Sequence, residues 1–177
     1  MLRHEALIRK LSVKEKIRLC TGGDFWHTCA LPKWDIPAVK VADGPHGVRC
    51  QEGKGDMLGL NDSLPATCFP TAVTSAASWD LKLLEREGRA IGEEGTAMGL
   101  AAVLGPGANI KRDPRCGRNF EYFSEDPLLS GKLAAAWIRG EQSAGPACSL
   151  KHFAANSQET FRGNGNSLVD ERTLREI

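Results

Sequence analysis

The chain has 177 residues, of which 41% are hydrophobic and 25% are charged, as is ordinary for a globular protein that can bury a sizeable core. Its 23 Lys and Arg residues nearly balance its 22 Asp and Glu residues, so no overall charge favours nucleic acid or an anionic membrane as a partner. We therefore expect one domain in which any charged site is local.

The six cysteines lie at long and uneven intervals without a C-x-x-C pair. This spacing argues against a zinc knuckle and a disulfide framework, and it favours small buried thiols in a reducing compartment. The sequence has no apolar core of signal-peptide length and no run of about 18 apolar residues. We therefore expect a cytoplasmic protein with no membrane partner.

The hydrophobic pattern predicts helices and strands in alternation. Ser12 and Glu15 form a capping box that opens a short helix. The compact apolar run 38–42 ends at the turn signal Asp43-Gly-Pro and predicts the first strand. Ser78 is the expected N-cap of a long helix in which apolar and small residues recur every three or four positions.

The same order repeats in the second half of the chain. The apolar run 100–104 predicts a second strand, and Asp126-Pro127 opens a second long helix as N-cap and first-turn proline. The run 147–153 predicts a third strand, and Asp170 begins another helical pattern. Strands separated by helices are typical of parallel βαβ units, so we predict an α/β fold with a parallel sheet.

A cluster of polar residues follows each predicted strand. The clusters are DGPHGVR at 43–49, KRDPRCGRNFEYFSED at 111–126 and KHFAANSQETFR at 151–162. In parallel α/β folds, ligands bind on the loops at the carboxyl ends of the strands. The clusters offer Asp, Arg, Lys, His and amide groups, a set of directional donors and acceptors that suits a polyhydroxylated ligand such as a sugar.

Simpler interpretations stay open for individual residues. Lys151 could extend its charge to solvent, His152 could be a satisfied core residue, and Asp43 could build an Asx-turn. Arg112 and Arg115 are most simply solvated or paired with nearby carboxylates. A phosphate or nucleic-acid site at these basic residues is the weaker alternative, because the sequence has no Walker A or G-x-G-x-x-G motif, and no metal-ligand spacing is present.

The three polar motifs resemble the amino-terminal barrel domain of glycoside hydrolase family 3, of the β-glucosidase type, and the likeness runs from about Leu11 to Ile177. It implies a partial (β/α)8 TIM-like barrel, about the first three βα units. Residues 1–177 would then be the incomplete N-terminal part of the catalytic barrel domain, with the second domain absent. By the same resemblance, the residues that bind the sugar would be Asp43, Arg49, Arg118, Lys151, His152 and Arg162.

The third motif indicates a subtype within the family. The β-N-acetylglucosaminidase branch looks like K-H-F-P-G-H-G, with its second His as acid/base, whereas this sequence reads KHFAANSQET. It therefore resembles the branch whose acid/base carboxylate lies on a second domain and whose substrates are β-glucosides or related β-glycosides. Family members carry the nucleophilic Asp in a Ser-Asp-Trp type stretch, and these 177 residues contain none.

A retaining glycosidase needs two catalytic carboxylates about 5 to 5.5 Å apart. The resemblance assigns Asp43 to hydroxyl binding, and the sequence shows no catalytic partner for Glu121 or Glu159, so we assign no catalytic residue. Two hypotheses remain. The chain is the front part of a retaining, β-glucosidase-like enzyme that needs the missing C-terminal part of the same enzyme, or it is a truncated, non-catalytic carbohydrate-binding relic. We expect a β-glycoside or oligosaccharide partner, no cofactor and no nucleic acid.

Overall fold

The structure is a computed structural model that describes residues 3–53, 55 and 60–177. Helices and strands alternate along most of this part of the chain. Its helices are α1 (Glu5–Lys10), α2 (Val13–Leu19), α3 (Ala72–Ala76), α4 (Leu81–Ala97), α5 (Pro127–Ser143) and α6 (Glu171–Glu176). Its strands are β1 (Val41–Asp43), β2 (Ala102–Leu104) and β3 (Ala147–Cys148), and 3-10 turns form at Pro32–Trp34 and Asn119–Glu121.

The strands form one parallel sheet in the order β1-β2-β3, as the βαβ pattern predicts. Val41 lies opposite Ala102, and Asp43 lies opposite Leu104. On the other side of β2, Ala102 lies opposite Ala147. The α/β class is therefore confirmed, and the carboxyl ends of all three strands meet at one edge of the sheet.

All three strands are shorter than their apolar runs, because backbone groups near the strand ends find other partners. In the first run, Val39 pairs with Thr28 instead of with β2. In the third run, the regular ladder ends at Cys148, because the Gly105 N–H donates to the Val103 carbonyl of its own strand at 3.0 Å and not to the third run. Lys151 N still donates to the Pro106 carbonyl at 3.0 Å, so the third run continues beside the second one as irregular extended chain.

The helix starts follow the capping signals of the sequence, with one correction. The capping box of Ser12 is confirmed, with both of its hydrogen bonds present, and Asp126 caps α5. The prediction that Ser78 caps α4 is wrong, because Trp79 has a left-handed φ of 58° and no helix can begin before it. Asp80 is the N-cap instead, and its Oδ1 accepts from the first-turn N–H groups of α4.

The core lies between the sheet and the long helices α4 and α5. Leu84 and Ile91 of α4 are fully buried, as the helical periodicity predicts, although Leu81 at the start of the same row is exposed. Gly88 and Gly140 allow the two helices to touch, because a Cβ at either position would run into the other helix's backbone. This close contact holds α4 and α5 together on one face of the sheet.

All six cysteines are free. Cys50 and Cys116 are buried, but Cys20 and Cys68 are exposed, so the prediction of small buried thiols is wrong for these two. Cys20 is the C-cap of α2 and Cys68 lies in the loop before α3, where little chain covers them. Among the described residues, no helix is long and apolar enough to cross a bilayer. The same residues contain no cluster of His, Cys, Asp and Glu suited to a metal ion.

Candidate functional site

An ion pair joins the ends of the two outer strands. Asp43 is the last residue of β1, and Lys151 follows β3 by three residues. The Lys151 Nζ donates to Asp43 Oδ1 at 2.7 Å, across the end of β2 that lies between them. The Lys151 side chain is only 15% exposed, so the pair is partly withdrawn from water. Two residues that are 108 positions apart in the sequence thus form the centre of the sheet edge.

Arg49 lies on the outer side of this pair. Its backbone N–H donates to the Asp43 carbonyl at 2.8 Å and closes the loop 43–49. Its guanidinium lies 4.0 Å from Asp43 Oδ2, at the limit of an ion pair, and 5.8 Å from the centre of the Trp26 ring. Arg49 therefore lies beside Asp43 with its side chain 41% exposed, so that it can still contact a ligand.

His152 turns away from this pair to a second group of side chains. The Arg118 Nη2 donates to His152 Nε2 at 2.8 Å, and the fully buried Tyr122 lies 2.8 Å from Nδ1 through its hydroxyl. Because a guanidinium only donates, Nε2 must accept, and the imidazole proton is on Nδ1 and points to Tyr122. Burial, with the charges of Arg118 and Lys151, lowers the pKa of His152, which favours this neutral tautomer.

Asn109 fixes the backbone at His152. Its Oδ1 accepts from the His152 N–H at 2.6 Å, and its Nδ2 donates to the His152 carbonyl at 3.1 Å. The sequence reasoning missed this residue. Asn109 follows β2 just as Lys151 follows β3, so the rule that polar residues after parallel strands meet at one edge would have included it.

Carboxylates surround the other side of Arg118. Its Nε donates to Glu121, which is buried in the 3-10 turn, and its Nη1 lies 3.7 Å from Glu159. Asn156 connects the group, because its Nδ2 donates both to the Tyr122 hydroxyl at 2.9 Å and to Glu159 Oε1 at 3.0 Å. Arg118 is thereby held by at least three partners from two loops.

Arg162 joins this group only at its outer end. Its Nη1 donates to Glu159 Oε2 at 3.0 Å, and its side chain is 68% exposed. Burial alone would raise the pKa of Glu159, but hydrogen bonds from Asn156 and Arg162 outweigh it and lower that pKa. Arg162 thus supports the carboxylate that faces Arg118, and no contact joins it directly to Asp43 or Lys151 in the described part of the chain.

The structure therefore brings the six predicted sugar-binding residues into two adjacent groups. Asp43, Arg49 and Lys151 form the first, while the second contains His152, Arg118 and, at its rim, Arg162. Arg115 lies apart and is paired with the Asp113 carboxylate at 3.0 Å, as the simpler interpretation predicts. Whether the six residues contact a sugar stays a prediction.

An apolar opening borders the two groups. A cavity of about 750 Å³ lies beyond the end of β3, between the segments 108–112, 150–157 and 168–177, next to Lys151 and His152. Hydrophobic side chains of the β3 loop and of α6 line it, and Phe153 is fully solvent-exposed at 102%. The further apolar lining residues are Leu150, Leu168, Val169, Leu174 and Ile177.

The sequence and the fold match known proteins. The profile of the Glycosyl hydrolase family 3 N terminal domain matches residues 38–177. Thermostable beta-glucosidase B of Acetivibrio thermocellus is 54% identical over 171 residues, a match that covers 97% of this chain and 23% of that protein. Exo-alpha-(1->6)-L-arabinopyranosidase of Bifidobacterium longum is 45% identical over 174 residues, which are 96% of this chain and 23% of the relative.

A solved structure gives the same result for the fold. Beta-glucosidase from Kluyveromyces marxianus in complex with glucose superposes with a TM-score of 0.86 at 41% identity, over 100% of this chain and 20% of that one. The chain thus spans between a fifth and a quarter of the length of the relatives it matches. Its three parallel strands and their helices are part of a TIM-barrel-like α/β fold. Because the profile covers most of the sequence, the chain belongs to glycosyl hydrolase family 3.

Proposed function

We propose that the chain supplies the sugar-binding edge of a β-glucosidase-like glycoside hydrolase, which cleaves O-glycosyl bonds and releases a non-reducing terminal β-linked sugar. The observation that carries this proposal is the 2.7 Å contact between Asp43 and Lys151. A carboxylate can accept hydrogen bonds from two neighbouring hydroxyls, while an ammonium and a guanidinium donate to others. Asp43, Lys151 and Arg49 together offer both kinds of group at one place on the sheet edge.

The second group of side chains orients the sugar against the first. Arg118 is fixed by His152 and by the carboxylates of Glu121 and Glu159, so its planar guanidinium is pre-oriented and loses little freedom on binding. A neutral His152 keeps Arg118 and Lys151 from facing a third positive charge. The two groups therefore recognise the arrangement of hydroxyls around a sugar ring, and a wrong epimer leaves polar groups unpaired.

We further propose that residues 1–177 form the first three βα units of the catalytic barrel domain of a longer enzyme. The apolar cavity beyond the end of β3 supports this, because it exposes side chains of the kind that a neighbouring strand and helix cover in a closed barrel. The nucleophile and the acid/base then lie outside these residues, and the reaction proceeds with retention through two carboxylates. Asp43 is held by Lys151 as a binding group.

The identity of the sugar needs a separate argument, because relatives at similar identity to this chain carry different names. A β-glucosidase and an arabinopyranosidase both align along nearly the whole chain. We propose a β-glucoside as the substrate, since the relative with 54% identity and the superposed structure with bound glucose are both named as β-glucosidases.

The test compares release of a chromogenic aglycone from an aryl β-D-glucoside and an aryl α-L-arabinopyranoside. The samples are the full-length protein, its Asp43→Asn variant and purified residues 1–177. We expect turnover of the glucoside by the full-length protein, a loss of roughly a hundredfold in Asp43→Asn, and none with 1–177. Asp35→Asn is the matched control, because Asp35 is exposed and has a left-handed φ that Asn tolerates.

Three outcomes would contradict the proposal. Turnover by 1–177 that disappears with Asp43→Asn would place a catalytic carboxylate within these residues. A preference for the arabinopyranoside would correct the substrate. A full-length protein that binds sugar but hydrolyses neither glycoside would support the non-catalytic relic.

A further inference from the structure

His46 joins the loop 43–49 to two other segments of the chain. Its backbone carbonyl accepts from the Phe69 N–H at 2.9 Å, and its ring Nε2 accepts from the Ala72 N–H at 3.0 Å. The centre of its ring lies 6.2 Å from that of Phe120 in the 3-10 turn. One residue thus connects the loop that carries the binding carboxylate with the start of α3 and with the second polar motif.

The contact with Ala72 satisfies the first N–H group of α3, a helix whose N-cap side chain makes no capping bond. The first N–H groups of a helix have no partner within the helix, and the N-cap side chain usually accepts from one of them. The N-cap Thr71 makes no such bond, and its hydroxyl lies 3.2 Å from that of Thr74 instead. Ala72 is buried, so its N–H depends on the imidazole of His46.

Other contacts constrain the loop 43–49 in addition to those of His46. Gly44 and Gly47 have φ values of +138° and +131°, and a Cβ at Gly47 would collide with the Thr67 carbonyl. The hydrogen bond from Arg49 N–H to the Asp43 carbonyl closes the loop at its base. If the loop moves away from segment 67–72, the side chains of Asp43 and Arg49 therefore move with it together.

The anchor requires a neutral imidazole. A ring nitrogen accepts a hydrogen bond only through its lone pair, so Nε2 carries no proton. Burial lowers the pKa of His46, and Lys151 acts in the same direction, whereas Glu121 and Asp43 act against them. Glu87 of α4 lines the same narrow space below the ring. It acts less strongly as an anion, because burial raises its own pKa.

We propose that His46 is a positioning residue for the sugar site, which holds the loop of Asp43 against the start of α3 only while its Nε2 is unprotonated. This inference rests on the function proposed above. Protonation removes the acceptor of the Ala72 N–H and sets a second donor against it. The loop then shifts, the Asp43 carboxylate leaves its place beside Lys151, and sugar binding weakens at acidic pH.

The experiment uses the full-length enzyme and three variants. His46→Gln keeps an acceptor near the position of Nε2 but does not titrate, while His46→Ala removes the acceptor. His4→Gln is the matched control, because His4 is exposed and lies at the start of α1. The Michaelis constant for an aryl β-glucoside and kcat are measured from pH 8 down to pH 4, because burial lowers the pKa of His46 and its protonation is expected below the ordinary histidine value of about 6.5.

We expect the ratio of the parent KM to the His46→Gln KM to rise roughly fivefold between pH 7 and pH 4, with a smaller change in kcat. His46→Ala should have a raised KM at every pH, and His4→Gln should follow the parent. Parallel KM profiles for the parent and His46→Gln would overturn the proposal.

A second measurement does not depend on glycosidase activity. Amide hydrogen exchange of a peptide that contains Ala72 should be about tenfold faster in His46→Ala than in the parent at pH 7, and His46→Gln should restore the protection. Equal exchange in the parent and His46→Ala would show that His46 does not anchor α3. A parent enzyme without glycosidase activity refutes the proposed function alone, since the exchange experiment still decides whether His46 holds the loop.

Discussion

Replacing Glu141 by Gln is expected to change how the stability of the protein depends on pH. Glu141 lies on α5 and has no exposed surface. The Cys148 thiol donates to its Oε2 at 3.0 Å, while its Oε1 has no hydrogen-bond partner among the described residues. Burial raises the pKa of this carboxyl group from 4.5 to about 7, and hydrogen bonds to Cys148 and to the Val103 backbone reduce the rise.

The sign follows from the raised pKa. Below pH 4.5 the carboxyl group is protonated in both the folded and the unfolded protein, so its contribution to stability is fully present. As pH rises towards 7, the unfolded chain releases this proton while the folded protein retains it. The free energy of unfolding then falls by about 1.4 kcal/mol per pH unit, which totals about 3 kcal/mol by neutral pH.

The assay is the thermal midpoint of the full-length protein and of Glu141→Gln between pH 4.5 and pH 8. A loss of about 3 kcal/mol corresponds to about 6 °C for a barrel domain of roughly 250 residues, so the midpoint of the variant should gain about that much relative to the parent across the range. Any effect of the new amide on stability that does not depend on pH cancels when the change in the midpoint difference with pH is taken. Glu93→Gln, on the exposed face of α4, is the control.

A difference between the two midpoints that stays constant within about 2 °C from pH 4.5 to pH 8 would refute this reasoning. It would mean that Glu141 ionises as easily in the folded protein as in the unfolded chain. Water would then reach the Glu141 carboxyl group, directly or through a conformational opening, in disagreement with the complete burial of this residue.

Lys151→Ala or His152→Ala in the full-length protein should cost about 2 to 4 kcal/mol of transition-state stabilisation, seen mainly in kcat/KM, and kinetics within about threefold of the parent would contradict a role in the sugar site. Gly140→Ala should lower stability by about 1 to 3 kcal/mol, because its Cβ would meet the backbone of α4. Gly131→Ala on the same helix, with open space around it, should be neutral or raise the thermal midpoint. Purified residues 1–177 should bind a hydrophobic dye or oligomerise, because the apolar cavity beyond the end of β3 is open, whereas a monomer with a sharp melt would contradict this.

Local signals in the sequence predicted much of the fold. The caps at Ser12, Asp126 and Asp170 depend on neighbouring residues alone, and the structure has all three. The ends of the strands depend on partners elsewhere in the chain. The Gly105 N–H, which turns back to Val103 and ends the ladder of β3, and the left-handed φ of Trp79, which moves the cap of α4 to Asp80, are backbone features that the apolar pattern does not predict.

The candidate site also combines features that the sequence predicts with features that depend on tertiary contacts. The meeting of Asp43 and Lys151 follows from the rule that the carboxyl ends of parallel strands share one edge. The partners of Arg118 and the outer position of Arg162 depend on the paths of two long loops. Tertiary contacts set those paths, and the hydrogen bonds of Asn109 to the backbone of His152 are an example. Sequence reasoning therefore identified which residues gather, but not which of them touch.

The ion pair between Asp43 and Lys151 also sets an order of events during protein synthesis. The two residues are separated by 108 positions, and ribosomes add about 5 to 20 residues per second. Asp43 therefore leaves the ribosome about 5 to 20 seconds before the lysine that neutralises it. Throughout that interval the nascent chain carries the DGPHGVR loop without Lys151, so the centre of this sheet edge can form only after the third strand has been translated.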